Sequence, residues 1–176
     1  MNWTELLRYE MESTYAVADA LMARVEENKL PLDWKPSTGK NWMTTGQLLG
    51  HLAQSCGVLV EGFVTGDWGM PPEHIADTPP EEMLTPAEKM ASIESVAKAR
   101  KLLAEDRKLA LDVLANVGDE RLANQKATAP WDPRELPLGV RLLAMVAHLS
   151  QHKGQLFYYM KLQNINVNSG DLWGEI

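Results

Sequence analysis

The sequence predicts an all-α protein in which a single domain, residues 1–176, forms one four-helix bundle. Three observations favour this class. Four long segments repeat apolar residues at steps of three and four, proline-rich connections separate these segments, and period-two alternation between turn residues is missing from the sequence. A chain of 176 residues is long enough for one sizeable core and short for two.

The predicted helices have recognisable starts and stops. A Thr44–Gln47 capping-box pattern opens the second helix. Thr85 followed by Pro86 indicates the start of the third, because threonine is a common N-cap and proline suits the first helical position. The third is expected to end at Gly118. The predicted bounds are Trp3–Glu27, Thr44–Phe63, Thr85–Val117 and Leu138–Gln163.

Two long connections complete the predicted chain path. Residues 64–84 contain four prolines, and residues 119–137 contain three, so both are predicted to be loops. Twenty extended residues reach about 65 Å, whereas a helix of that length spans about 30 Å. The first connection can therefore cross a bundle from end to end.

Composition excludes several classes of protein. Lys plus Arg number 17 against 24 Asp plus Glu, a net charge of −7, and a basic run is missing. This balance speaks against a nucleic-acid partner and against binding to an anionic membrane surface. The single cysteine, Cys56, excludes an internal disulfide. With neither a signal-like N-terminus nor an apolar run of 18 residues, the expected location is cytoplasmic.

Histidines carry the strongest functional signal. His148 and His152 lie four apart in the fourth predicted helix, so both imidazoles project from one face. Leu149 and Ser150 stand between them, which leaves out the glutamate of an H-E-x-x-H protease. His51 falls on the apolar face of the second helix. The three rings can share one divalent metal, or each can hydrogen-bond separately.

Two further residues are interpreted as structural or solvated. His74 lies in the proline-rich connection, where a solvated side chain is expected. Cys56 is five residues after His51, about 140° round an α-helix, so it should not join the same site. We expect it to be a small core residue.

The residues also resemble the DinB/YfiT-like family of metal-dependent enzymes. The most specific pattern is H-x-x-x-H-x-G-Q at residues 148–155, preceded by His51 in the second predicted helix. Five stretches spread over nearly the whole chain match the family: Asp33–Pro36, Thr44–Leu52, Thr128–Pro133, His148–Leu162 and Val167–Gly174.

The resemblance implies an up-down-down-up bundle with a long crossover between helices two and three. It also implies that His51, His148 and His152 bind a divalent metal, zinc or nickel first, with manganese or iron as alternatives. Some family members resemble S-transferases, so the implied partners are a small-molecule thiol and an electrophile, and a homodimer is expected. Three alternatives stay open: a non-enzymatic metal-binding stress-response bundle, a metal-dependent hydrolase, and purely structural histidines. The resemblance assigns no catalytic side chain.

Overall fold

The computed structural model describes residues 2–174, apart from the side chains of Pro72, His74, Ala76 and Glu81. The protein is mostly helical, as predicted, and one small antiparallel sheet accompanies the helices. The α-helices are α1 Trp3–Glu27, α2 Thr45–Leu52, α3 Gly57–Thr65, α4 Pro72–Asp77, α5 Val96–Ala115, α6 Asp119–Asn124, α7 Leu138–Leu162 and α8 Ser169–Trp173. The strands are β1 Lys126–Ala129 and β2 Asp132–Pro137, and short 3-10 helices span Pro80–Glu82 and Ala87–Lys89.

The long helices enclose the core. α1 packs along both α5 and α7, and α3 packs against the same two helices. α2 lies against α7 and α5. The packed faces bury leucine, methionine, valine and alanine, as the predicted stripes require. The up-down-down-up order of a four-helix bundle stays a prediction.

The sequence predicts one continuous second helix, Thr44–Phe63, and this prediction is wrong because the structure has two helices there. α2 ends at Leu52 and α3 begins at Gly57. The buried carboxylate of Asp106, on α5, accepts the backbone N–H of Gly57 at 2.8 Å and of Val58 at 3.0 Å. It also accepts the N–H of Cys56 at 3.4 Å. The first N–H groups of a helix have no carbonyl partner within it, so Asp106 supplies the cap that starts α3.

A fourth donor completes the surroundings of Asp106. The Tyr15 hydroxyl donates to its carboxylate at 2.6 Å. Burial raises the pKa of Asp106, whereas the hydrogen bonds from Tyr15 and from the three amides act in the opposite direction. All four neighbours donate, so the ionised carboxylate can satisfy every one of them.

Gly57 is a position where a side chain has no room. A Cβ there would lie 2.1 Å from the Asp106 carbonyl oxygen, whereas a Cβ at Gly154 would meet nothing within 4 Å. We expect Gly57→Ala to lower the free energy of unfolding by about 2–3 kcal/mol, because the two backbones must separate. Gly154→Ala, the matched control, should raise it by up to about 1 kcal/mol. Urea unfolding followed by circular dichroism compares the two, and equal midpoints would contradict this packing.

The third helix starts later than predicted. α5 begins at Val96, and its N-cap is Ser95, which accepts the Lys98 N–H at 3.1 Å. Thr85 and Pro86 precede only the 3-10 helix Ala87–Lys89. Contacts with α2 explain the difference.

Those contacts hold the chain extended between the 3-10 helix and α5. The Ile93 N–H donates to the Gly46 carbonyl at 3.0 Å, and the Gln47 amide donates to the Met90 carbonyl at 2.7 Å. These tertiary hydrogen bonds replace the ones that a continuing helix would make. The local helix-start signal is therefore overridden by α2.

Both predicted loops contain regular structure that the sequence analysis missed. Residues 64–84 include α4, and residues 119–137 include α6 and the β1–β2 hairpin. The hairpin is short and carries a register shift between Ala127 and Ala129, so it lacks a clean period of two. Arg141 on α7 fixes it by donating to the Asp132 carboxylate at 2.7 Å.

Within residues 2–174, no single helix is long and apolar enough to cross a membrane. The bent pair α2 and α3 passes that test when the two are taken together, on length and composition only.

Candidate metal centre

The three predicted histidines meet between α2 and α7. The Nε2 atom of His51 lies 3.2 Å from that of His148 and 3.1 Å from that of His152. The Nε2 atoms of His148 and His152 are 3.0 Å apart. One turn of α7 places the last two on a common face, and the packing of α2 on α7 brings His51 opposite them. The structure therefore assembles the cluster that the spacing predicts.

Hydrogen bonds at the other ring nitrogen set the tautomers of two rings. His148 Nδ1 lies 2.9 Å from the Ser55 carbonyl oxygen, and His152 Nδ1 lies 3.1 Å from Gln155 Oε1. Both partners can only accept, so both Nδ1 atoms carry the proton. The Nε2 atoms of neutral His148 and His152 are then lone pairs that face each other across 3.0 Å.

Hydrogen bonds alone cannot satisfy both Nε2 lone pairs well. His51 has at most one Nε2 proton to offer, and it cannot serve both lone pairs with good geometry. A cation placed among the three Nε2 atoms satisfies all of them at once. The donor set thus fits a metal better than it fits three independent hydrogen-bonded rings.

The spacing is also right for a metal. Bonds of about 2.0–2.1 Å place two nitrogens about 3.3–3.4 Å apart at a tetrahedral angle and about 2.9 Å apart at a right angle. The observed distances of 3.0, 3.1 and 3.2 Å lie between these values. The cluster found within the described residues consists of histidines only. Three protein ligands leave a coordination position for water or substrate, as catalytic zinc sites do.

The surroundings of two rings favour their neutral forms. Burial, followed by the neighbouring rings of His152 and His148, lowers the pKa of His51 to about 4. Burial also lowers the pKa of His152, while its hydrogen bond with Gln155 works in the opposite direction. Neutral imidazole is the form that binds metal, so the lowered pKa values of His51 and His152 favour metal binding at pH 7 without release of protons from these two rings.

The cluster opens onto a cleft of about 950 Å³. All three histidines line it, together with Trp131 and a group of flexible apolar side chains. The methionines in the lining are Met43, Met70, Met83, Met90 and Met145. Among the side chains that the structure describes, Lys89 is the charged one in the lining. The site is therefore reached through a largely apolar space rather than closed off by the core.

The other residues considered in the sequence lie elsewhere. Cys56 is fully buried, and burial raises the pKa of its thiol to about 12. The prediction that it is a core residue is confirmed. The side chain of His74 lies outside the described part of the structure.

Two basic residues of α7, the helix that carries His148 and His152, have other partners. Lys153 donates to the Leu172 carbonyl at 2.9 Å and lies over the Trp173 ring. Arg141 bonds to Asp132 and lies over the Phe63 ring. Neither lines the cleft, and within the described side chains Lys89 is the lysine or arginine at its wall.

Sequence reasoning missed several contributors to this site. The i to i+3 spacing from His152 to Gln155 could have revealed that contact, because such residues are neighbours on a helix. The Ser55 carbonyl could not have been found, since it depends on the break before α3. Lys89 and the methionines between α3 and α5 show no periodic sequence pattern from which their position beside the histidines could have been predicted.

Fold and site together define a class: a mostly helical protein with a half-buried cluster of three histidines that can hold a divalent metal ion. A family model described as the DinB superfamily matches residues 10–156 and includes all three. The chain belongs to the DinB superfamily. A search of curated proteins found no match, and a search of solved structures found none either.

Proposed function

We propose that His51, His148 and His152 bind one divalent metal and that the protein is a metal-dependent S-transferase for a low-molecular-weight thiol. The observation that carries the metal site is the 3.0 Å separation of the Nε2 atoms of His148 and His152, whose Nδ1 atoms both face oxygen acceptors. Imidazole suits zinc and nickel, the first choices, and also iron, whereas manganese, the remaining alternative, prefers oxygen ligands. Family membership supports the same assignment.

The metal, when bound, lowers the pKa of a thiol that reaches its open position and so supplies a thiolate near neutral pH. The thiol proton passes to solvent. Sulfur then forms a bond to the electrophilic carbon, and the bond from that carbon to the leaving group breaks, with its electron pair going to the leaving group. The three half-buried histidines would hold the metal at the wall of the cleft, beside the space that the thiol and the electrophile would enter.

The cleft indicates what kind of electrophile would fit. Its wall is mainly apolar, and methionine side chains adapt to irregular apolar shapes. Trp131 adds a flat surface against which an aromatic or alkyl group can pack. An apolar electrophile is therefore favoured, while Lys89 provides a charge for an anionic group of the thiol.

The alternatives differ in what they require of the cleft. A non-enzymatic metal-binding stress-response protein needs no open space beside the metal, so the cleft favours an enzyme. A metal-dependent hydrolase would use the same three ligands with water in place of the thiol. The homodimer, the cytoplasmic location and the up-down-down-up order, with α2 and α3 together as the second helix, stay proposals.

A thiol-consumption screen tests the transferase. Protein stripped of metal and protein reloaded with zinc or nickel are each mixed with a thiol and a panel of apolar and polar electrophiles. We expect loss of thiol only in the reloaded sample, with apolar electrophiles preferred. Turnover without metal would contradict the proposal, and product release without thiol consumption would identify the hydrolase instead.

A further inference from the structure

We propose that Asp106, a buried carboxylate outside the histidine cluster, is a positioning residue that orients His148 for metal binding. It acts through the start of α3 and the Ser55 carbonyl. Its effect on metal affinity rests on the proposed function, whereas its effect on the His148 ring does not. Three steps connect the two side chains.

The first step is the fixed start of α3. Asp106 accepts the N–H groups of Gly57 and Val58 at 2.8 and 3.0 Å. The hydroxyl of Tyr15, from α1, holds the same carboxylate at 2.6 Å. Because Gly57 has no side chain, its backbone can approach Asp106 closely. The beginning of α3 is therefore anchored to α5 rather than to α2.

The second step is the Ser55 carbonyl, which lies in the break between α2 and α3 and, within the described residues, accepts no hydrogen bond from either helix. The first backbone hydrogen bond of α3 joins the Val60 N–H to the Cys56 carbonyl at 2.8 Å. Ser55 lies one residue earlier, and it is 1% exposed. A buried carbonyl needs a donor, and His148 Nδ1 lies 2.9 Å from the Ser55 carbonyl oxygen.

The third step is the orientation of the ring. A proton fixed on Nδ1 leaves Nε2 as the lone pair and points it towards His51 and His152. Such outer partners of metal-binding histidines set the tautomer and the ring angle. If the start of α3 shifts, the Ser55 carbonyl shifts with it. His148 then loses the Nδ1 hydrogen bond that fixes the orientation of its ring.

The Asp106→Asn variant tests this chain of contacts. Asparagine keeps the size of the side chain, but its NH₂ group cannot accept, so Tyr15 or the α3 amides lose an acceptor. One control separates positioning from stability: Leu114→Ala opens a cavity in the buried face of the same helix and leaves the hydrogen bonds of Asp106 in place.

Two measurements are made on each variant at a temperature where circular dichroism shows it folded. Long-range proton–nitrogen NMR of the metal-free protein reports the tautomer of His148, and titration with Co²⁺ reports metal affinity together with the visible spectrum of the ion. We expect Asp106→Asn to mix the His148 tautomers and to weaken Co²⁺ binding by about 10- to 100-fold. Leu114→Ala should stay within about threefold of wild type, well below that range.

A wild-type tautomer and affinity in Asp106→Asn would overturn the proposal, as would an equal loss in Leu114→Ala. If Asp106→Asn does not fold, Gly57→Ala in a Gly154→Ala background replaces it, because it forces α3 away from Asp106 and should give the same NMR change. If wild type itself binds no Co²⁺, the proposed function fails while the NMR comparison still decides the role of Asp106.

Discussion

The His148→Ala variant should bind no stoichiometric metal and keep its helical fold. Its Nε2 atom is one of three ligands, and two remaining imidazoles hold a divalent ion weakly. The core should survive, because the neighbouring α7 residues Leu149 and Val146 stay buried against other helices. Element analysis after dialysis measures the metal, and far-ultraviolet circular dichroism measures the helix content.

A control on the same helix makes the comparison sharp. Gln151 is exposed on α7, so Gln151→Ala should retain both metal and helix content. Metal that stays bound to His148→Ala would contradict the ligand assignment. Loss of most of the helical signal would show instead that the metal is structural, as in a zinc finger.

Activity in the thiol assay should follow the metal and not Cys56. We expect His51→Ala to lose nearly all turnover, because it removes the ligand that α2 contributes. Cys56→Ser should keep it, since Cys56 is fully buried and does not line the cleft. Burial raises the pKa of its thiol to about 12, so it stays protonated near neutral pH and is a poor nucleophile.

The comparison uses one thiol and one apolar electrophile with wild type and both variants, with and without added metal. Serine has nearly the size of cysteine but buries a hydroxyl, so the Cys56→Ser protein should be assayed well below its melting temperature. Loss of activity in Cys56→Ser with the metal retained would rule out this mechanism, as would turnover that needs no metal.

The parts of the fold that depend on local pattern were predictable. α1 has the predicted bounds, and α7 begins at the predicted residue and ends at Leu162, one residue early. Continuous apolar periodicity and clear flanking signals fix such helices. The break between α2 and α3 was not predictable, because Asp106, about 50 residues away, creates it. The predicted start of the third helix at Thr85 was wrong for a similar reason, because hydrogen bonds to Gly46 and Gln47 hold the residues before α5 extended.

Part of the candidate site was likewise predictable from local pattern, and part depends on tertiary contacts. Helix geometry alone places His148 and His152 on one face, and the apolar stripe points His51 towards the core. What orients the rings was out of reach of the sequence, because the Ser55 carbonyl is presented by tertiary structure. The metal-ligand role of the three histidines stays a prediction until metal is measured.

The most direct measurement is the metal content of the protein purified without chelator and without an affinity tag. Plasma emission analysis should find about one divalent metal ion per chain, zinc or nickel first, as three histidine ligands around one position require. The His51→Ala protein, prepared in parallel, should contain almost none. A wild-type chain that carries no metal, and takes up none when zinc, nickel, manganese or iron is added, would contradict the metal site.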